Sequence, residues 1–359
     1  SLAFFENELY LGFLNLSGTL SLSSWDPASN NLSAWSAPTA LSDSSNAAAV
    51  FSSAYGPQLL DRGDVLGMVW VDTASGTLKS SGSSMPDGKA GSWTSPTTVL
   101  QRLEANDGAS FVAISATAAP TATWLGGVPV LAVSDNGSIN VYAGAQSGSS
   151  LQLTSSFTAP SGGPAISSAP VLTSTPTGLA LTYTNADGSI SLNRLSFVAD
   201  DGTPLPGVQF NADGSINTSN ADLQWQSTVL NEGNSGLSTS LASTPVSVNG
   251  NLLLTNIRNS ASQDDQIWIN AVPNLSDASS TIWLNSSVQL PNGSGGWSFQ
   301  QKGGTVNIGT LTPDWKGDAG GLSPSAPSFT ELNGVLYAAV VGYSNGSANG
   351  LMYWNSSSD

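Results

Sequence analysis

Pro327-Ser328-Phe329-Thr330-Glu331-Leu332-Asn333-Gly334-Val335-Leu336-Tyr337-Ala338-Ala339-Val340-Val341 holds two runs of strand length around an Asn-Gly pair. Both central residues of a type I′ turn need positive φ, and Asn followed by Gly supplies it at little steric cost. The stretch therefore reads as an antiparallel hairpin. Asn249-Gly250, Asn136-Gly137 and Asp187-Gly188 likewise each join two strand-like runs. Almost nothing in the chain has helical period; runs of five to eight residues are separated by Gly, Asn, Asp, Ser and Pro.

Working outward, the hairpins fall into a recurring order. A first strand follows small residues or Pro, as at Ser1 to Phe5, Pro120 to Trp124, Ala169 to Leu172 and Ala326 to Phe329. A strongly apolar second strand follows: Leu9 to Leu14, Val65 to Val71, Val128 to Val133, Leu179 to Tyr183, Leu252 to Ile257 and Val335 to Val341. Third strands run over Thr19 to Trp25, Ser138 to Ala143, Ser189 to Leu195, Gln266 to Ala271 and Gly350 to Trp354. A fourth begins at a Trp: Trp35 to Leu41, Trp93 to Val99, Trp225 to Leu230 and, less regularly, Trp283 to Leu290. The third unit has lost this Trp, and its fourth strand lies near Leu151-Gln152-Leu153. Trp35 to Trp93 and Trp225 to Trp283 are both 58 residues apart.

Repeated four-stranded antiparallel units predict an all-β single domain, a β-propeller of six blades. Approximate blades are 1–43, 44–105, 106–162, 163–234, 235–293 and 325–359, with an insertion at 294–324. Seven blades or tandem β-sandwiches are the alternatives, and four strands per unit favours the propeller. The last unit shows only three strands, so either terminal strands share a blade or the native protein continues past Asp359. The start at Ser1 without Met suggests a piece of a longer polypeptide.

Composition excludes much chemistry. The 359 residues contain no His and no Cys, which removes disulfides, thiolate nucleophiles, Cys/His zinc sites and serine–histidine triads. Charged residues are 9% of the chain, with 24 acidic against 8 basic, a net charge of −16. So few cations predict no nucleic-acid partner, and no run approaches the length of a membrane span. Eleven Trp and ten Phe argue for a folded core, with a hydroxyl- and amide-covered surface suited to an extracellular setting. Asn-x-Ser/Thr triplets such as those at Asn136, Asn292 and Asn345 read as Asn-Gly-Ser turns before glycan acceptors, and Arg62-Gly63-Asp64 reads as a turn.

The unit of Pro-led strand, apolar strand, Asn/Asp-Gly turn, aromatic third strand and Trp-led fourth strand resembles the blades of bacterial propeller lectins of the Photorhabdus and fucose-lectin type. More loosely, it resembles the sialidase-type propellers. The resemblance covers most of the chain and implies the fold. The fucose lectins repeat an Arg between blades, whereas Arg62, Arg102, Arg194 and Arg258 occupy dissimilar positions here. Asp135-Asn136-Gly137 keeps the turn of a sialidase Asp-box, but Val133 replaces its Ser and no Trp follows. Neither family's site residues carry over.

Candidate sites come from the two insertions. Trp297 and Trp315 lie outside any repeat slot, and a sugar ring stacks on such a face while Asp314 and Lys316 bond its hydroxyls. The competing reading is a plug folded over its own blade. Calcium needs several oxygen ligands, and Asp200, Asp201 and Asp213, with Asn211, and Asp318, with Asp314, supply them without EF-hand spacing. Loop acids are ordinarily solvated, which is the competing reading for each cluster. Only five Glu are present and no carboxylate pair stands out for acid–base work. The composition thus favours a non-catalytic extracellular module that binds glycans or a cell-surface polymer, or pairs with other copies or domains of a larger surface protein. A structural assembly component with no small ligand and a polysaccharide-acting glycosidase or lyase using Asp/Glu pairs are the alternatives.

Overall fold

A computed structural model describes residues 1–29, 35–43, 50–61, 63–84, 93–105, 108–147, 150–158, 166, 168–175, 178–199, 203, 205, 210–215, 217, 221–230, 244–248, 251–257, 267–272, 298–301, 304–307, 310–311, 328–332, 335–344 and 347–358. Apart from one 3-10 turn at Pro27–Ser29, every regular element among them is a strand. The chain packs as two units, residues 1–159 with 208–221, and residues 160–207 with 222–359.

Unit 1 holds three sheets. The first is β1 (Leu2–Phe5), β2 (Glu8–Leu14), β3 (Leu20–Trp25) and β4 (Thr39–Ala40), in that order. The second is β5 (Gln58–Asp61), β6 (Leu66–Val71), β7 (Leu78–Ser83) and β8 (Thr97–Thr98). The third has six strands, from β9 (Leu100–Ala105), β10 (Gly108–Ala113), β11 (Thr121–Leu125), β12 (Val128–Asp135), β13 (Ser138–Ser147) and β14 (Ser150–Thr158), ordered β10-β9-β14-β13-β12-β11. The blade boundary expected after 105 falls inside the β9–β10 hairpin. β9 pairs parallel with β14, Gln152 opposite Leu100, so this hairpin belongs to the third sheet.

The uninterrupted apolar character of the second strands has a direct cause. All six residues of β6 are buried. Met68 and Trp70 pack with Phe5, Leu20 and Phe51 on one side, whereas Val69 and Val71 pack with Ile114, Leu131 and Leu153 on the other. Alternate side chains of a strand point to opposite faces, so the second sheet is covered on both. A two-sheet sandwich leaves one face of each sheet in water, so this stacking is that of propeller blades. The first strands β1, β5 and β11 run beside one another.

A repeated tie joins consecutive sheets. The Leu20 N–H donates to the Phe51 carbonyl while Leu41 N–H donates to Leu20; Leu78 to Ile114 and Val99 to Leu78 repeat the pattern. Ser23 Oγ donates to the Ser36 carbonyl at 2.7 Å, and Ser81 Oγ to the Thr94 carbonyl at 2.6 Å. β7 is too poor in apolar residues to be read from sequence, because Ser80, Ser81, Gly82 and Ser83 fit where small side chains are needed beside the fourth strand.

Unit 2 is built from β15 (Val171–Thr175), β16 (Gly178–Thr184), β17 (Ile190–Ala199) and β18 (Ala221–Leu230) in one sheet, and β19 (Thr244–Val248), β20 (Asn251–Ile257) and β21 (Ile267–Val272) in a second. β22 (Ser298–Gln301) and β23 (Gly304–Asn307) form a hairpin. β24 (Thr310–Leu311), β25 (Ser328–Leu332), β26 (Val335–Ser344) and β27 (Ser347–Ser358) complete the set in the order β24-β27-β26-β25. The last unit thus does gain a fourth strand, from the preceding insertion: Thr310 lies opposite Ser358. Leu332 opposite Val335 and Val248 opposite Asn251 give both Asn-Gly hairpins the expected two-residue loop.

Trp70 is completely buried, its ring lies 5.8 Å from Phe51, and its Nε1 has no hydrogen-bond partner. Trp70→Ala is expected to cost about 3–5 kcal/mol through the cavity it leaves. Trp70→Phe keeps most of the packing and removes the unpartnered N–H, so it should cost well under half as much in urea unfolding.

Candidate functional site

The turns between second and third strands of unit 1 carry polar side chains held by hydrogen bonds within the turn. Asn15–Thr19, Asp72–Thr77 and Asp135–Ser138 occupy equivalent positions in the three sheets. Isolated bridges join Thr19 to Ser52 and Thr77 to Ser115, so the first two turns sit beside the segments that lead into the next sheet. Each turn is rigidified by its own side chains. Asn15 Oδ1 accepts from Ser17 N–H, Ser17 Oγ and Thr19 N–H; Asp72 Oδ2 accepts from Ser75 N–H at 2.9 Å and Ser75 Oγ at 2.7 Å. Asn136 (φ 49°) and Gly137 (φ 80°) form the expected type I′ turn. Glu6 (φ 48°) and Asn7 (φ 69°) form another, which the sequence reading did not mark.

Asp187-Gly188 differs from expectation. Only Gly188 has positive φ there, so this is not a type I′ pair. The loop runs over five residues: Asn185 N–H donates to Ser189 O, Gly188 N–H to Asn185 O, and the Asp187 carboxylate accepts from Ser189 N–H and Oγ. Extra side-chain hydrogen bonds stabilise this wider turn over the two-residue one.

Asn211–Ser215 repeats the same loop bond for bond, with Asp213 accepting from Ser215 N–H and Oγ. The signal was present in the sequence, since Asn-Ala-Asp-Gly-Ser-Ile occurs at 185–190 and again at 211–216. Asp213, expected as a calcium ligand, is exposed and sits in this loop. Ser215 holds its carboxyl below the ordinary carboxylate value, with a smaller contribution from the charge of Arg102. Ser189 does the same for Asp187. Thr154 Oγ1 donates to the Asp213 carbonyl, and the buried Gly214 seats against Gly144, where β13 and β14 shift register.

The other expected site residues, Trp297, Asp314, Trp315, Lys316, Asp200, Asp201 and Asp318, lie outside the described residues. Among the described residues no three His, Cys, Asp or Glu side chains gather as a metal-binding group. Asp43 and Arg194 are the buried charged residues there, and Ser95 Oγ donates to the Asp43 carboxylate across a separation of 52 positions. In β17, Asn193 is buried and accepts from Ser227 Oγ at 2.6 Å, in the slot that Ser23 and Ser81 fill in unit 1. These side-chain bonds tie the third strand of each of these three sheets to its fourth, or to the residues leading into it.

Comparison with protein-family profiles and with curated proteins finds no match. Solved structures do show similarity. A Trypanosoma rangeli sialidase in complex with a difluorinated 2-keto-3-deoxy-nononic acid matches 99% of this chain and 52% of its own, at 9% identity and a TM-score of 0.47. The T. rangeli sialidase without that ligand in its description matches 99% of this chain and 54% of its own, at 9% identity and a TM-score of 0.44. A Bacteroides uniformis protein assigned provisionally as a 6-phosphogluconolactonase matches 98% of this chain and 96% of its own, at 13% identity and a TM-score of 0.42. The chain spans about half the length of the sialidases it resembles. At these scores no residue of any of them is carried over to this one.

Two predictions follow from the turn geometry. A carboxyl whose folded pKa is depressed contributes stability above its unfolded pKa, and that contribution fades as pH falls through the lower folded value. Carbon-detected NMR titration should find Asp187 and Asp213 both titrating below a free Asp, and Ser189→Ala should raise Asp187 alone. Glycine substitution should separate the two loop sites. A Cβ on Gly137 (φ 80°) meets nothing within 4 Å, so Gly137→Ala should cost only the backbone penalty of about 1–2 kcal/mol. A Cβ on Gly214 (φ 81°) would lie 2.3 Å from the Gly144 Cα, so Gly214→Ala should cost clearly more in thermal unfolding.

Proposed function

We propose that this chain is a non-catalytic, extracellular carbohydrate-binding or adhesive propeller module. The observation that carries the reading is the set of turns at equivalent positions of three consecutive sheets, Asn15–Thr19, Asp72–Thr77 and Asp135–Ser138. Their amide, hydroxyl and carboxylate groups are set by internal hydrogen bonds before any ligand arrives. Sugar hydroxyls are bound by groups of this kind, and a preset geometry lowers the ordering cost of binding. A chain with only 9% charged residues supports the same reading, because it offers mostly neutral hydrogen-bonding groups in place of ion pairs.

The reading assigns the aromatic face to Trp297 and Trp315, with Asp314 and Lys316 bonding hydroxyls. It assigns calcium, where the ion is used, to Asp200, Asp201, Asp213 and Asp318. The test is binding to a broad glycan array, with calcium present and then chelated. Loss of binding in Trp315→Ala would locate the sugar site in the late insertion, and loss only with chelator would locate it at the acidic clusters. No binding to any sugar in either condition would overturn the reading in favour of a structural component.

A further inference from the structure

β9 and β10 depart from every other strand pair of unit 1. Arg102 and Leu103 in β9 are exposed, and so is each residue from Ser110 to Ala113 in β10. Cross-strand partners share a face, so Arg102 and Phe111 lie on one side of the ribbon, and Leu103 and Val112 on the other. Phe111 and Val112 are each 48% exposed, which puts a large apolar side chain in water on both faces. A ribbon with both faces solvated is marginally stable by itself.

β10 is also the terminal strand of its sheet, with one row of backbone N–H and C=O groups unpaired in the ladder. The outermost strands of the other unit 1 sheets, β4 and β8, are two residues long and offer almost no such edge. β10 has six residues, Gly108-Ala109-Ser110-Phe111-Val112-Ala113, with no Pro, no Lys and no charge. Among the described residues no strand pairs with its outer side, and it carries no Pro or charge of the kind that ordinarily protects an edge.

We propose that β10 is a self-association edge, pairing antiparallel with β10 of a second copy of this chain. Open backbone groups call for a strand as occupant, and an uncharged strand can pair with its own copy without setting like charges opposite one another. Two molecules of net charge −16 repel each other over most of their surfaces, and here they would meet along a strand that bears no charge. Beside it, Arg102 acts on Asp213, so one of the chain's few cations already sits in an opposing field. Pairing about a two-fold axis at Phe111 would bring the two Phe111 rings together on one face and extend the apolar cover of Val112 and Leu103 on the other. One six-residue edge is small against the roughly 800 Å² per partner of a standard interface, so the dimer is weak and concentration-dependent.

The test is sedimentation velocity of the full chain over a wide concentration series, at low and at high salt. The expected result is a reversible monomer–dimer equilibrium that shifts toward dimer as salt screens the net charge. Phe111→Lys and Val112→Lys, on opposite faces, should each raise the dissociation constant about tenfold or more, with far-UV circular dichroism unchanged. Amide exchange at Ser110 to Val112 should slow as concentration rises. A chain that stays monomeric at every concentration and salt would overturn the proposal, as would a dimer indifferent to both substitutions.

Discussion

The constraint on which unit 1 depends is that its middle sheet has no wet face. Leu59 and Leu60, neighbours in β5, belong to different cores, one shared with the first sheet and the other with the third. Each buried side chain of this kind gives about 1.5–3 kcal/mol, and here both parities of a strand collect it. The second strands are therefore apolar without interruption. The polar backbone at the seams must then be paired from one sheet to the next, which the Leu20–Phe51 and Leu78–Ile114 bonds accomplish.

That arrangement explains which features could be read in advance. The apolar runs and the Asn-Gly hairpins follow from burial and from positive φ, both written in single residues. β7 could not be read, since Ser80 to Ser83 are buried for reasons of space and hydrogen bonding that only the neighbouring Thr94 and Thr97 reveal. The β9–β10 hairpin was equally opaque. Its assignment to the third sheet depends on a parallel contact with β14, fifty residues away, and no local signal announces such a partner. The source of the last sheet's fourth strand was missed for the same reason, because β24 is two residues long and precedes its partners.

The candidate site was legible in composition and only partly in detail. The absence of His and Cys narrowed the chemistry, and the turn glycines marked where polar loops occur. What single residues do within those loops depends on bonds such as those from Ser189 to Asp187, which a residue read by itself does not announce. Asp213 makes the equivalent bonds with Ser215 within the repeated hexapeptide.

The pairing of Thr310 with Ser358 bears on how the protein is made. In the first two sheets of unit 1 each strand pairs with the one made just before it, so they can assemble in order as the polypeptide emerges from a ribosome. The sheet containing β24 cannot. Its outermost strand is synthesised first and must wait until β25, β26 and nearly all of β27 have followed, so closing it carries a larger loop entropy. The late part of the chain should therefore be the slower to fold, and the part that most needs a chaperone while it waits.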